Sequence, residues 1–194
     1  MRISKNPEAR RQEIIEIATG LFIARGISKT SISDVAEAVG VAKGLVYYYF
    51  ASKEDLVQCI VKQLATGVDQ ALQAILDKPE LNFYERLSAI IDYYFKAIPA
   101  NQAIDALTPG DPGVFAMIRD LLSGVALKHA GKLLQQGIDE KILHILYPEH
   151  MLRILINGLG DLYIDGMTDP DIHVVLIEQM LGIEKGKLNL VHQA

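Results

Sequence analysis

Residues 30–53 read TSISDVAEAVGVAKGLVYYYFASK, and how this stretch is parsed decides the fold. Thr30 and Ser31 are residues that cap a helix N-terminus, and Asp34 stands where the positive end of the helix dipole favours an acid. The spacing predicts a short helix at Ile32–Val39, stopped by Gly40. A second short helix follows over about Ala42–Tyr48. Ser52 then caps a long helix with Glu54 and Asp55 in its first turn. Two short helices joined this way need a small residue at their crossing, a turn residue that tolerates unusual φ, and an apolar residue that locks the second helix inward. Ala36, Gly40 and Val46 meet these needs at the right separations, with Val35, Val39 and Val41 completing the inner surface. Helix, short turn, helix is the unit that places its second helix in the DNA major groove.

Apolar residues keep helical spacing in both directions from this stretch, and no alternating run predicts a strand. Upstream, Ile14, Ile15, Ala18, Leu21 and Phe22 form a stripe ended by Gly26. Downstream, the helix from residue 53 carries Leu56, Ile60, Val61, Leu64, Val68, Leu72, Ile75 and Leu76 up to Pro79. Further helices are expected at 81–98, ended by Pro99, at 114–136, ended by Gly137, at 148–165 and at 171–181. TPGDPG (108–113) and DGMTDPD (165–171) are the expected loops. The fold class is all-α: a three-helix helix-turn-helix domain over residues 1–52, then a larger helical domain over 53–194.

Half of the 194 residues are apolar, enough for a substantial core. Net charge is −5, but it is uneven: eight basic residues face five acidic ones through Lys53, and eleven face nineteen beyond it. That sign reversal suggests that one part meets a polyanion. A single cysteine, Cys59, excludes an internal disulfide framework. No apolar run approaches the ~18 residues of a membrane span. The opening MRISKNPEAR has no apolar signal-peptide core, so a cytoplasmic protein is expected.

The combination of Arg11, Ile14, Ala18, Phe22, Gly26, Thr30, Ser31, Ile32, Ala36, Gly40, Val41, Lys43, Gly44, Tyr47, Tyr48, Phe50, Ser52, Lys53 and Leu56 resembles the Tet-repressor (TetR) family of bacterial transcriptional regulators. The resemblance covers about the first quarter of the chain. It implies a homodimer that binds a palindromic operator and releases it when a small molecule enters the second domain. It further implies a DNA-facing set of Thr30, Ser31, Lys43, Gly44, Leu45, Tyr47, Tyr48 and Lys53. Consecutive residues on a short helix point about 100° apart. The three tyrosines therefore cannot share one role; the resemblance implies that Tyr47 and Tyr48 face DNA, and Tyr49 and Phe50 are expected to fold back to the interior. Two positions depart from the family pattern. Ala42 replaces the usual Ser or Thr and cannot cap the recognition helix. Leu45 replaces a frequent Thr and can offer a base only an apolar contact, such as to a thymine methyl.

In the second domain, Phe83, Tyr84, Tyr94, Phe95, Phe115, Met117 and His129 are the expected lining of a largely apolar ligand cavity, a solid core being the alternative. Met151, Leu152, Leu155, Leu159, Leu162 and Tyr163 make one apolar stripe, and Val174, Ile177 and Leu181 another. Together they predict a four-helix dimer interface. Gly158 and Gly160 are expected to permit close backbone approach, and Asp92 and Lys96 to form a surface ion pair. His144, Glu149 and His150 lack metal-site spacing, and no nucleophile–base pair appears, so neither a metal, a cofactor nor catalysis is expected. An architectural DNA-binding protein and a helical enzyme are the rival readings.

Overall fold

The computed structural model describes residues 6–100 and 112–190, without the side chains of residues 97–100, 112 and 115. Most of the expected 108–113 loop lies outside these residues, as does the Phe115 side chain. Among the described residues there are eight helices and no strand: α1 (Pro7–Arg25), α2 (Ile32–Val39), α3 (Lys43–Tyr49), α4 (Lys53–Leu76), α5 (Phe83–Ala100), α6 (Pro112–Asp139), α7 (Pro148–Ile164) and α8 (Pro170–Leu181). No described helix is long and apolar enough to cross a membrane.

The described residues divide into two compact units, one within 1–64 and 99–121, the other within 65–98 and 122–194. The division falls inside α4 rather than at its start. The reason is burial: Leu56, Val57, Ile60 and Val61, in the first turns of α4, are closed from solvent. On the same stretch Cys59 and Gln63 bond to Arg11 and Gln12 of α1.

The first unit is built around Ile14, Ile15, Ala18 and Phe22 of α1, Val35 and Ala36 of α2, Val46 of α3 and Phe50 just beyond it. Ser31 opens α2 with a reciprocal cap: its Oγ accepts from Asp34 N–H, and the Asp34 carboxylate accepts from Ser31 N–H. Gly40 closes α2 at φ 74° and ψ 38°, a left-handed conformation that a side chain would strain. Val41 N–H then donates to the Ala36 carbonyl at 2.9 Å, turning the chain into α3.

The second unit packs Phe83, Leu87 and Ile91 of α5, Leu133 and Leu134 of α6, Leu152 and Leu155 of α7, and Val174, Ile177 and Leu181 of α8 into one core. Its C-terminal strand of chain is latched by a buried acid. Glu178 Oε1 accepts from the backbone N–H of Gly186 at 2.9 Å and of Leu188 at 3.0 Å. Asn189 N–H donates to Ser88 Oγ at 3.1 Å. The expected Asp92–Lys96 pair forms at 2.7 Å.

Gly137 does not end its helix as expected; α6 continues to Asp139. A Cβ there would stand 2.6 Å from Phe83 Cε2 and 3.1 Å from Leu143 Cδ1. The glycine is set by close packing against α5 and the chain after α6. Gly137→Ala is therefore expected to destabilise the protein by about 1–3 kcal/mol through overpacking. Urea unfolding of the two proteins measures this, and equal midpoints would refute the packing role.

Candidate functional site

On α3, Val46 is fully buried, while Leu45, Tyr47 and Tyr48 are 36%, 46% and 78% exposed. Lys43 and Gly44 are exposed as well. One apolar residue faces in, and a cation, two phenols and an aliphatic side chain face out. Lys43 Nζ lies 5.7 Å from the Tyr47 ring centroid, a cation–π contact one helical turn apart that holds both side chains on one face. Tyr48 and Tyr49 meet edge to face at 5.1 Å. Phe50 is buried, with the Arg11 guanidinium 5.1 Å from its ring centroid. That guanidinium also donates to Cys59 Sγ at 3.0 Å, tying α1 to α4 beneath α3.

Ala42 begins α3 in an extended conformation with no side-chain cap, as alanine must. Lys53 is half-buried at the start of α4. There Ser52 Oγ accepts from Asp55 N–H, and Asp55 accepts from Ala51 N–H. Two expected DNA contacts are otherwise engaged. Thr30 is buried, and its hydroxyl donates to the Gly26 carbonyl at 2.9 Å, so it braces the turn after α1. The Ser31 hydroxyl is used in the α2 cap. Both were legible as cap residues, and of the two Ser31 acts as the cap.

In the second unit, Phe83 belongs to the core, and Tyr84 and Phe95 pack against it. Tyr94, Phe95, Tyr163 and His173 form a run of rings: Tyr94–Tyr163 at 6.1 Å, Phe95–Tyr163 at 6.3 Å and Phe95–His173 at 4.9 Å between centroids. Burial, and then Tyr163, pushes the Tyr94 hydroxyl up to about 12. It therefore remains a phenol and a donor at neutral pH. His129 is fully buried and bonds through Nε2 to Asp69 Oδ1 at 2.8 Å, while Lys128 reaches the same oxygen at 2.6 Å. Met117 belongs to the first unit, so it is not grouped with these residues. His173 escaped sequence reasoning; the available signal was a lone imidazole inside the Val174, Ile177 and Leu181 stripe.

A cleft of about 530 Å³ lies between α6 and the first turns of α7, with Leu127, Lys128, Gly131, His150, Leu152 and Arg153 among its lining. It too was missed. The signal was the pair Gly124 and Gly131, two turns apart on one face of α6.

Five residues of the expected dimer stripes, Leu152, Leu155, Val174, Ile177 and Leu181, are taken up by the chain's own core. Tyr163 packs on Tyr94 and Phe95, and Met151, Leu159 and Leu162 are partly buried. The most apolar face of each helix was the face that had to be buried within the chain. What faces outward on α7 is Ile154, 63% exposed, and Ile164, 53% exposed; on α8 it is Ile172. Among the described residues, the helix's own backbone aside, nothing lies within 4 Å of a Cβ built on Gly158 or Gly160, so neither is set there by close packing.

Residues 14–60 match the sequence model of "Bacterial regulatory proteins, tetR family". The HTH-type transcriptional repressor KstR2 of Mycobacterium tuberculosis is 30% identical over 102 residues, covering 53% of this chain and 50% of that protein. The chain thus spans about half the length of the curated relatives it matches. A crystal structure of a transcriptional regulator of the TetR/AcrR family from Thermobifida fusca is 25% identical, with TM-score 0.63 over 95% of this chain and all of that one. A SmeT–triclosan complex shares the fold at 17% identity, with TM-score 0.67 over 95% and 96% of the two chains. The first two are transcriptional regulators.

Bonds from Lys128 and then His129 hold the Asp69 carboxyl below its ordinary 3.8. A depressed carboxyl contributes stability that is complete above the unfolded value and is lost as pH falls through the folded one. Asp69→Asn is expected to be less stable at neutral pH, yet to lose less stability than the parent between about pH 5 and pH 2.5. Denaturant unfolding across that range checks it, and parallel pH profiles would exclude Asp69 as the linked group.

Proposed function

We propose that this chain, a TetR-family protein by its N-terminal domain, is a DNA-binding transcriptional regulator: a dimeric repressor that a small-molecule effector releases from a palindromic operator. The observation that carries the reading is the outward face of α3, where Lys43, Leu45, Tyr47 and Tyr48 stand exposed around buried Val46. Lys53 adds a cation at the start of α4. Lys43, Gly44 and Leu45, early in α3, are assigned to base edges, and Tyr47, Tyr48 and Lys53 to phosphates. Thr30 and Ser31 brace the entry to α2 through their bonds to Gly26 and Asp34.

The second unit supplies the response. Its half-buried Tyr84, Tyr94 and Phe95 and buried His129 offer apolar surface with a few polar groups, the usual character of an effector site. The shared fold with SmeT, solved with triclosan, supports this part of the reading. Release requires the effector to favour a conformer whose paired recognition helices no longer match successive major grooves. A coupling of about 1–3 kcal/mol lowers operator affinity about 5–150-fold, and DNA must weaken effector binding by the same factor. The dimer is assigned to the outward faces of α7 and α8, around Ile154, Ile164 and Ile172.

Genomic selection with the purified protein tests the whole reading. Enrichment of one palindrome is the expected result; indiscriminate binding would mean an architectural protein, and no DNA binding would sink both. Lys53→Ala is expected to weaken binding nearly uniformly across sequences and to lower the salt slope by about one unit. Lys43→Ala or Leu45→Ala should instead change which bases are preferred; unaltered preference in both would remove α3 from the groove. For the dimer, Ile154→Glu with Ile172→Glu should give a folded monomer by sedimentation and circular dichroism. A dimer persisting at micromolar concentration would place the interface elsewhere. Leu155→Glu should unfold the second unit rather than dissociate it.

A further inference from the structure

Two histidines of the second unit, His129 and His173, are fully closed from solvent. In each, one ring nitrogen is bonded and the other is buried without a partner among the described residues. The bonded nitrogen meets a group that accepts. For His173 that group is the backbone carbonyl of Asp169, 3.0 Å from Nδ1, which can only accept. Nδ1 therefore carries the proton, and in the neutral ring Nε2 is left as a bare lone pair. His129 repeats the pattern with its nitrogens exchanged: Nε2 donates to the Asp69 carboxylate, and Nδ1 is the orphan. Buried polar atoms without partners are uncommon, and each calls for an explanation, a bound group that completes it being one.

The surroundings of His173 indicate what that group is attached to. Phe95 meets the imidazole at 73° and 4.9 Å, Tyr163 lies against Phe95, and Tyr94 meets Tyr163 at 77°. These are edge-to-face and tilted contacts within the range in which aromatic rings attract. Tyr94, Phe95 and Tyr163 are only half-buried, so the ring cluster reaches the surface of its unit, whereas His173 does not.

We propose that this cluster is the effector site and that the effector is a neutral, hydroxyl-bearing aromatic molecule, its O–H donating to His173 Nε2 while its ring joins the edge-to-face set. The inference rests on the reading above that the second unit binds an effector, and it names the chemical class. A hydrocarbon of the same shape leaves the lone pair bare. A carboxylate, ionised at neutral pH, has no proton to donate and brings a charge into an apolar site.

Titration calorimetry on the full chain with 2-naphthol, 2-methylnaphthalene and 2-naphthoate tests this. The expected result is that 2-naphthol binds about tenfold tighter than either analogue, the cost of leaving a buried acceptor unpaired. His173→Phe keeps a ring and removes the acceptor, and should reduce 2-naphthol to the affinity of 2-methylnaphthalene. As a readout that does not depend on the variant folding, the His173 Nε2 nitrogen resonance should shift with 2-naphthol and not with 2-methylnaphthalene. Equal binding of these two compounds, an unmoved resonance, or no binding of any of the three would overturn the proposal. The last would leave a buried water as the partner of Nε2. Operator selection on the same preparation keeps the failures apart: an enriched palindrome with no 2-naphthol binding removes the ligand class alone.

Discussion

Burial of Val46 is the constraint on which the outward face of α3 depends. A seven-residue helix has no stability of its own, because a helix this short has barely recovered the entropy of its first turn. Its only fully buried side chain is Val46, and its N-terminus lacks a side-chain cap. The orientation of Lys43, Leu45, Tyr47 and Tyr48 is therefore set by how Val46 and the following Phe50 seat in the core of the first unit. The Arg11 guanidinium over the Phe50 ring and its bond to Cys59 extend that seat to α1 and α4. A contact surface made this way is positioned by tertiary packing, and its exposed residues are left free of structural duties.

The second unit solves a different problem. Its core is largely aliphatic, yet it encloses an acid, two imidazoles and a serine. Glu178 is satisfied by two backbone N–H groups of the C-terminal segment, and Ser88 by a third. These bonds specify where the last residues lie. The imidazoles are only half satisfied: each keeps one ring nitrogen without a partner among the described residues.

Apolar stripes and glycines carried less positional meaning than they first offered. On α7 and α8 the strongest stripes face the chain's own core, and the most exposed apolar side chains are the isoleucines at 154, 164 and 172. Hydropathy measures how strongly a face seeks cover and is blind to whether the cover comes from the same chain or another. Gly137 illustrates the same ambiguity. A glycine late in a helical pattern reads as a stop, yet α6 runs through it because Phe83 and Leu143 leave no room for a Cβ.

Local information sufficed wherever the cause was local. The helix periods, the Ser31 and Ser52 caps, the left-handed turn at Gly40, the missing cap at Ala42 and the inward Val46 all follow from residues within a few positions of one another. The expectation that Tyr47 and Tyr48 point away from the core came from the resemblance to a known family. Only the tertiary structure decided that Thr30 is enclosed, that compaction divides α4 at Leu64, and that Tyr163 belongs to a ring cluster with Tyr94 and Phe95. It alone brought Asp69 to His129 across 60 positions and set His173 against Phe95. Those pairings depend on which helices become neighbours, and a periodic pattern states which side of a helix is buried without naming what buries it.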